Sequence, residues 1–209
     1  MKNPRTPKTM DLAQLTVLIL SLAGDAERFV VAIAGPPAAG KSTLAEMLLE
    51  ALAERSEPAA VVSMDGFHYD DAVLRARGLL PRKGSPETFD FAGFRVVLER
   101  LRSGEADVAI PVFDRSMELS RAGAAVVPKD TRIILIEGNY LLLDEEPWTA
   151  LSGLFDFSIY LDRPQEMIEE RLLDRWKHLP NGREKTESND LLNAKRVRSR
   201  RRPADLVIS

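Results

Sequence analysis

The segment from Gly35 to Thr43 constrains this chain more than any other, because it reads G-P-P-A-A-G-K-S-T. Glycines at both ends of such a loop let the backbone turn its N–H groups inward around an anion. The apolar run at 29–34 before the loop suits a buried parallel strand, and the apolar residues after it recur at helical spacing. Strand, glycine-rich loop and helix together form a phosphate site at the helix N-terminus, so the sequence predicts nucleoside triphosphate binding.

Specific roles follow for the residues of this P-loop. Lys41 is expected to reach the outer phosphates and to act in catalysis, while the Ser42 hydroxyl is expected to bind Mg²⁺. Glu137 ends the apolar run 133–136 and is the second predicted metal ligand, either directly or through water. ATP and Mg²⁺ are therefore the predicted cofactors. The predicted nucleotide-binding residues are Gly35, Pro36, Pro37, Ala38, Ala39, Gly40, Lys41, Ser42 and Thr43.

Composition limits the class of protein. A chain of 209 residues is long enough for one α/β domain, and its net charge of −3 gives no overall indication of a nucleic-acid or membrane partner. The absence of cysteine excludes disulfides and thiolate metal sites and agrees with a reducing compartment. We therefore expect a cytoplasmic protein, monomeric or homodimeric, with a small-molecule substrate. Residues 1–9 are expected to be disordered, and 11–23 to form an amphipathic helix rather than a signal peptide.

The order of apolar runs predicts an α/β fold of the P-loop NTPase type. Further strands are expected at 59–64, 132–137, 156–161 and 205–208, giving a mostly parallel sheet between two helical layers. The strand at 59–64 is expected beside the P-loop strand, and the carboxylate that follows it then lies where α/β sheets bind ligands. Residues 106–128 are expected to form a small substrate hairpin, and 176–190 a lid.

Asp65 is the best candidate for a catalytic base, since it follows the second strand at the edge where α/β sheets bind ligands. Its alternatives are a structural role or a role at a second Mg²⁺. Arg171 and Arg175 lie four residues apart on one helix face and are expected to close over the phosphates, with Arg183 as a third possibility. The alternative for each arginine is a solvated helix face.

The predicted substrate-binding residues lie in loops that could surround an acceptor. Carboxylates pair with the hydroxyl groups of sugars and polyols, which offer hydrogen-bond donors. Arg121, together with Arg115, could instead hold an anionic group of the substrate, and the basic run 195–202 is expected to be a solvated helix end that touches nucleotide phosphates. The predicted substrate-binding set is His68, Asp90, Asp114, Glu118 and Arg121.

Missing motifs narrow the reaction. The chain contains neither the N-K-x-D pattern that reads guanine nor the L-S-G-G-Q-like segment of transporter ATPases. Phosphoryl transfer to a small acceptor is the favoured reaction.

Five blocks in order carry a family resemblance: G-P-P-A-A-G-K-S-T at 35–43, S-M-D-G-F-H at 63–68, K-G-S-P-E-T-F-D at 83–90, P-V-F-D-R at 111–115 and I-E-G-N-Y at 136–140. Together they resemble the uridine kinase, phosphoribulokinase and bacterial pantothenate kinase superfamily, and most of all its fructose transport system kinase, or fructokinase-like, subgroup. The resemblance implies an ATP- and Mg²⁺-dependent kinase in which Asp65 is the catalytic carboxylate, Asp90 lies on the substrate side and Glu137 lies at the active site.

The sequence leaves more than one acceptor of the phosphoryl group possible. The hairpin segment 113–118 has no histidine, unlike the hairpin that holds the base in uridine kinases. We expect phosphorylation of a sugar or polyol, fructose-like in type. The alternatives are a pantothenate or nucleoside kinase, and a nucleotide-switched regulatory ATPase.

Overall fold

The computed structural model of the chain describes residues 10–209, and the predicted disorder of 1–9 lies outside them. The strands of the described part are β1 (Phe29–Ala34), β2 (Ala59–Ser63), β3 (Val108–Asp114), β4 (Leu119–Val127), β5 (Ile133–Gly138), β6 (Phe157–Leu161) and β7 (Leu206–Ile208). The helices are α1 (Leu12–Ala23), α2 (Lys41–Ala53), α3 (Asp71–Ala76), α4 (Phe91–Arg102), α5 (Gln165–Trp176), α6 (Gly182–Lys185) and α7 (Leu191–Ser199).

Five strands form one sheet in the order β2-β5-β1-β6-β7, and every pair is parallel. The expectation that β2 lies beside β1 is wrong, because β5 lies between them. The continuous apolar run of β5 is buried throughout, as an inner strand of a parallel sheet requires. Glu137, near the end of β5, is therefore in register with Ser63 on one side and Ile33 on the other.

Helices cover both faces of this sheet, which confirms the α/β prediction. Val31 and Ile33 of β1 face a core that includes Leu48 of α2, whereas Val30 and Ala32 face a core that includes Phe94 of α4. Successive side chains of a strand point to opposite faces, so β1 is apolar at every position.

The N-terminal helix begins after a capping box, in which Asp11 accepts from the Gln14 backbone and the Gln14 side chain accepts from that of Asp11. Leu15 and Ile19 are buried, as the periodicity predicts. Leu22 was expected on the same apolar face but is 48% exposed, because the helix ends at Ala23 before that edge meets the core. None of the helices between residues 10 and 209 combines the length and the apolar character needed to cross a bilayer.

Strands β3 and β4 form the expected hairpin outside the main sheet. The hairpin packs on the turn that follows β2, where Gly66 contacts the backbone of Pro111 so closely that a Cβ atom would collide with the Pro111 carbonyl. This close approach brings the hairpin tip next to Asp65.

The segment after α5 is helical rather than a polar loop. Residues 177–181 turn the chain, α6 follows, and a π-helical turn at Thr186–Asp190 continues into α7. Gly182 packs against the backbone of Trp176, leaving no space for a side chain. The polar composition of 178–190 had predicted a lid without regular structure. The packing of Gly182 on Trp176 supplies the contact that holds the turn.

Candidate active site

The loop between β1 and α2 presents backbone N–H groups at the start of α2. Gly40, the residue before this helix, has a φ of 93°, a left-handed conformation that glycine adopts at little cost. The helix begins at Lys41, so its unpaired N–H groups and its dipole are directed toward the loop. This geometry fits the predicted phosphate site.

Lys41 is buried, with 7% of its surface exposed. Its ammonium donates to the Pro36 carbonyl at 3.0 Å and to Asn139 Oδ1 at 2.6 Å. Burial lowers the pKa of Lys41, while the nearby Glu137 carboxylate opposes that shift. Asn139 is a site residue that the sequence analysis did not identify, although it lies within the I-E-G-N-Y block.

Glu137 is 4% exposed and accepts a hydrogen bond from the Ser63 hydroxyl through Oε1. Burial raises the pKa of Glu137, and the neighbouring Asp65 carboxylate raises it further. Its other carboxylate oxygen has no hydrogen-bond partner within residues 10–209. The Ser42 hydroxyl is likewise without a partner in the described chain, and it lines the same cleft as Glu137.

Ser42 and Glu137 fit a magnesium ion that is held partly by phosphates. No group of three or more His, Cys, Asp or Glu side chains in the described part of the chain could hold a metal by itself. Mg²⁺ at nucleotide sites normally takes one or two protein ligands and completes its shell with phosphate oxygens and water. The donor set therefore suits Mg²⁺ that arrives with the nucleotide.

Asp65 lies in the turn at Met64–Phe67, directly after β2. Its carboxylate is 22% exposed and accepts from Arg115 Nη2 at 2.9 Å. Its backbone N–H donates to Ser63 Oγ at 3.2 Å, and Ser63 in turn donates to Glu137. Ser63 thus links the predicted base to the predicted metal ligand.

The three lid arginines occupy different places. Arg171 donates to the Ala38 carbonyl of the P-loop at 3.1 Å, and Arg175 lines the cleft beside it. Arg183 instead pairs with Glu187 at 3.4 Å and does not line that cleft. Two of the three are thus near the phosphate site, and Arg183 is not.

Two clefts meet at the hairpin tip. The first, of about 690 Å³, runs from the P-loop and Asp65 to an apolar end formed by Met10, Leu12, Met47 and Ile208. These four apolar residues were not predicted as part of the site. The second, of about 730 Å³, lies between the hairpin tip, the loop around Lys83 and the lid segment. Arg115 and Arg175 line both clefts.

The predicted substrate carboxylates are mostly engaged elsewhere. Asp114 accepts from the Ser116 hydroxyl at 2.6 Å and lies 3.5 Å from Arg121, so the two side chains stabilise the hairpin tip. Asp90 caps α4 by accepting from the Gly93 N–H at 3.0 Å. Of the four predicted acidic or basic acceptor residues, Glu118 alone lines the second cleft.

His68 is half-buried between aromatic rings and, together with Asp90, lines a smaller cavity of about 460 Å³ beside the hairpin. Its ring centroid lies 4.0 Å from that of Phe89 and 4.9 Å from that of Phe113. Its Nδ1 lies 2.8 Å from the Asp65 carbonyl oxygen. Burial lowers the pKa of His68. These contacts place His68 behind Asp65, where it positions the turn.

Arginines of the basic run at 195–202 form ion pairs with carboxylates of the protein itself. Arg196 donates to Glu145 at 2.5 Å and to Glu87 at 2.7 Å, and Arg200 donates to Glu145 at 3.1 Å. The run contributes no residue to the P-loop cleft. The lining of this cleft therefore gives no support to the expected contact with nucleotide phosphates.

Comparison with known proteins identifies the family of this chain. The model of the phosphoribulokinase/uridine kinase family matches residues 30–178. The chain belongs to this family. YggC of Escherichia coli K12 is 38% identical over 151 residues, covering 71% of this chain and 62% of that protein. A pantothenate kinase of Bacillus velezensis is 34% identical over 160 residues, covering 72% of this chain and 50% of that protein.

The chain thus spans between half and about three fifths of the length of these curated family members. One solved structure matches a larger share of this chain. A protein of Silicibacter sp. TM1040, described as a candidate fructose transport system kinase, superposes with a TM-score of 0.90 and 43% identity, covering 96% of this chain and all of that one. The predicted fold and kinase family are confirmed.

Proposed function

We propose that this chain transfers the γ-phosphoryl group of ATP to a hydroxyl of a small molecule. The observation that carries the proposal is the position of Asp65. Asp65 lines the P-loop cleft, and its partner Arg115 lines both that cleft and the second one. A base between a phosphate site and a separate acceptor-sized cleft is the arrangement that phosphoryl transfer requires.

The reaction would use the side chains as follows. The acceptor hydroxyl oxygen forms a bond to the γ-phosphorus while the bond from that phosphorus to the β–γ bridging oxygen breaks. The hydroxyl proton passes to the Asp65 carboxylate, and ADP leaves with the bridging oxygen. Lys41, Arg171 and Arg175 stabilise the charge on the phosphate oxygens. Mg²⁺, held by Ser42 and Glu137, would neutralise phosphate charge when bound.

A hydroxyl-rich acceptor of the sugar or polyol type is our first candidate. The 43% identical protein is described as a candidate fructose transport system kinase, and Glu118 offers a carboxylate to hydroxyl donors in the second cleft. Pantothenate is the second candidate, because several curated family members are named pantothenate kinases. A nucleotide-switched ATPase would not need the second cleft.

The test is ADP release from ATP and Mg²⁺ against a panel of sugars, polyols, pantothenate and nucleosides, with wild type beside Asp65→Asn. Loss of a positioned base should lower kcat by about 10²- to 10⁴-fold while ATP affinity stays near that of wild type. Asp174→Asn is the matched control, since Asp174 is 69% exposed and pairs only with Lys177.

Near-normal turnover in Asp65→Asn would contradict the role of Asp65 as the catalytic base. Steady hydrolysis that no acceptor accelerates, but that a protein partner does, would favour the nucleotide switch.

A further inference from the structure

The second cleft contains a lysine that forms no hydrogen bond or ion pair within the described part of the chain. Lys185, at the end of α6, lies with its Nζ 3.4 Å from the centroid of the Trp176 ring. It is half-buried, and it makes no hydrogen bond or ion pair with any residue between 10 and 209. A cation held on an aromatic face gains some stabilisation, but it keeps its capacity to bind an anion. Burial lowers the pKa of Lys185, as expected for an ammonium that has lost part of its water.

Two carboxylates, those of Asp190 and Glu118, favour the charged form of Lys185 without forming an ion pair with it, and the Glu118 Oε2 lies 3.9 Å from Lys83 Nζ. Asp190 accepts from Trp176 Nε1 at 2.7 Å and from Asn189 at 3.3 Å. Asp71 accepts from Lys83 at 2.6 Å, and the same ammonium donates to the Glu118 carbonyl at 2.7 Å. Lys83 and Arg115 are thus paired with Asp71 and Asp65. Two cations of the cleft, Arg175 and Lys185, make no hydrogen bond or ion pair within the described residues, and of these Arg175 also lines the P-loop cleft.

The position of Lys185 is fixed by the fold around it. Gly182 packs against the Trp176 backbone, and Thr186 Oγ1 donates to the Gly182 carbonyl at 2.9 Å. Asn189 then donates to the Lys83 carbonyl at 2.8 Å, which joins the lid segment to the opposite wall of the cleft. An ammonium in a fixed position binds an anion with less loss of side-chain entropy than a surface lysine does.

We propose that Lys185, resting on Trp176, binds an anionic group of the acceptor, a carboxylate or a phosphate, while the hydroxyl to be phosphorylated points toward Asp65. This inference rests on the proposed function. It narrows the acceptor from neutral sugars to hydroxylated acids and sugar phosphates. It also moves the anion-binding role from Arg121, which pairs with Asp114, to the lid segment.

The experiment uses pairs of probes that differ in one anionic group. These pairs are gluconate with sorbitol, pantothenate with pantothenyl alcohol, and fructose 6-phosphate with fructose. Trp176 fluorescence reports binding, because an anion on the ammonium changes the field at the indole ring. Each probe is titrated into wild type, Lys185→Gln and the control Lys177→Gln, whose side chain is 72% exposed and paired with Asp174. The first two pairs test a carboxylate, and the third tests a phosphate.

At least one charged probe should give a saturable signal in wild type and in Lys177→Gln. Its affinity should fall by about 10- to 100-fold in Lys185→Gln, the loss typical of one hydrogen bond to a charged group. The neutral member of the same pair should bind no better to wild type than to Lys185→Gln. Equal binding of both members, unchanged affinity in Lys185→Gln, or no signal from any charged probe would overturn the inference.

ADP release measured on the same samples separates this inference from the proposed function. Phosphoryl transfer to a neutral acceptor at a rate that does not depend on Lys185 would support the kinase proposal and contradict the proposed anion site. Charged probes that bind through Lys185 without accelerating ADP release would support the anion site and count against the kinase proposal.

Discussion

Glu137 is placed where its ionisation should control metal binding. It is buried, and burial raises its pKa above the usual 4.5. A metal ion binds the ionised carboxylate, so protons compete with Mg²⁺ over a pH range above 4.5. We expect the Mg²⁺ concentration needed for half-maximal ADP release to rise as the pH is lowered through that range.

Glu137→Gln tests this expectation directly. The substitution should weaken the apparent Mg²⁺ affinity by about 10- to 100-fold and remove its pH dependence in that range. The measurement is a Mg²⁺ titration of ADP release at several pH values, with the exposed Glu50→Gln on α2 as control. An unchanged pH dependence in Glu137→Gln would show that another group controls metal binding.

Single residues of the site differ in how far sequence could identify them. The P-loop motif gives Lys41 and Ser42 by spacing alone, and Asp65 and Glu137 follow because each ends an apolar run. Asn139 could not be assigned this way, since nothing in its sequence neighbourhood says that Lys41 will donate to it. Lys185 is one of several cations in a polar stretch, and it becomes distinct only through its place on Trp176. Roles that depend on contacts across the fold were the ones missed.

Among the structural elements, the lid segment is held to the rest of the protein by a small number of polar contacts. Asn189 is 2% exposed and donates to the Lys83 carbonyl at 2.8 Å. Asn189→Ala would leave that carbonyl with one partner fewer, at a cost of about 1–2 kcal/mol to the local closed state. We expect faster amide hydrogen exchange over residues 176–190.

The exposed Asn181 in the same segment offers a matched control, because Asn181→Ala removes no side-chain contact to the Lys83 loop. Equal exchange rates in Asn189→Ala and wild type would mean that packing of Gly182 on Trp176 holds the segment without this hydrogen bond.

The elements themselves were more predictable than their arrangement. Apolar runs gave the five strands of the main sheet and the N-terminal helix within one or two residues. Strand order was partly wrong, because two buried strands of equal hydrophobicity do not reveal which is the neighbour of a third. The π-helical turn at Thr186–Asp190 was missed because tertiary contacts, rather than an apolar stripe, stabilise it.

Over the whole molecule, Arg196 joins two segments that are distant in sequence. It donates to Glu145 and to Glu87, which lies in the K-G-S-P-E-T-F-D block. Burial by itself would raise the pKa of Glu87, but the hydrogen bonds that its carboxylate accepts, the strongest of them from Arg196, act together with the Arg196 charge and lower the pKa to about 2. A carboxyl whose pKa is lowered on folding stabilises the protein above its unfolded pKa of about 4.5, and this contribution is lost as the pH falls toward 2.

We therefore expect Glu87→Gln to lower the free energy of unfolding at pH 7 by about 0.5–1 kcal/mol, a value reduced for the partial exposure of the pair. The difference from wild type should shrink as the pH falls from about 4.5 toward 2, the range set by the two pKa values. Urea unfolding at several pH values measures it, and the exposed Glu105, paired with Arg100, provides the control Glu105→Gln. A difference that is constant with pH would exclude ionisation of Glu87 as its source.

The ion pair between Arg115 and Asp65 bears on the rate at which water, rather than an acceptor, takes the phosphoryl group. Arg115 donates to Asp65 Oδ2, so under the proposed function this ion pair makes the carboxylate a weaker base toward a water molecule beside bound ATP, whereas an acceptor in the second cleft would contact Arg115. We expect Arg115→Ala to raise ATP hydrolysis in the absence of acceptor and to lower transfer to the acceptor, with the exposed Arg95→Ala as control. Lower hydrolysis in Arg115→Ala would contradict this expectation. In the cell, such a contact would keep ATP from being spent during the intervals when no acceptor is present.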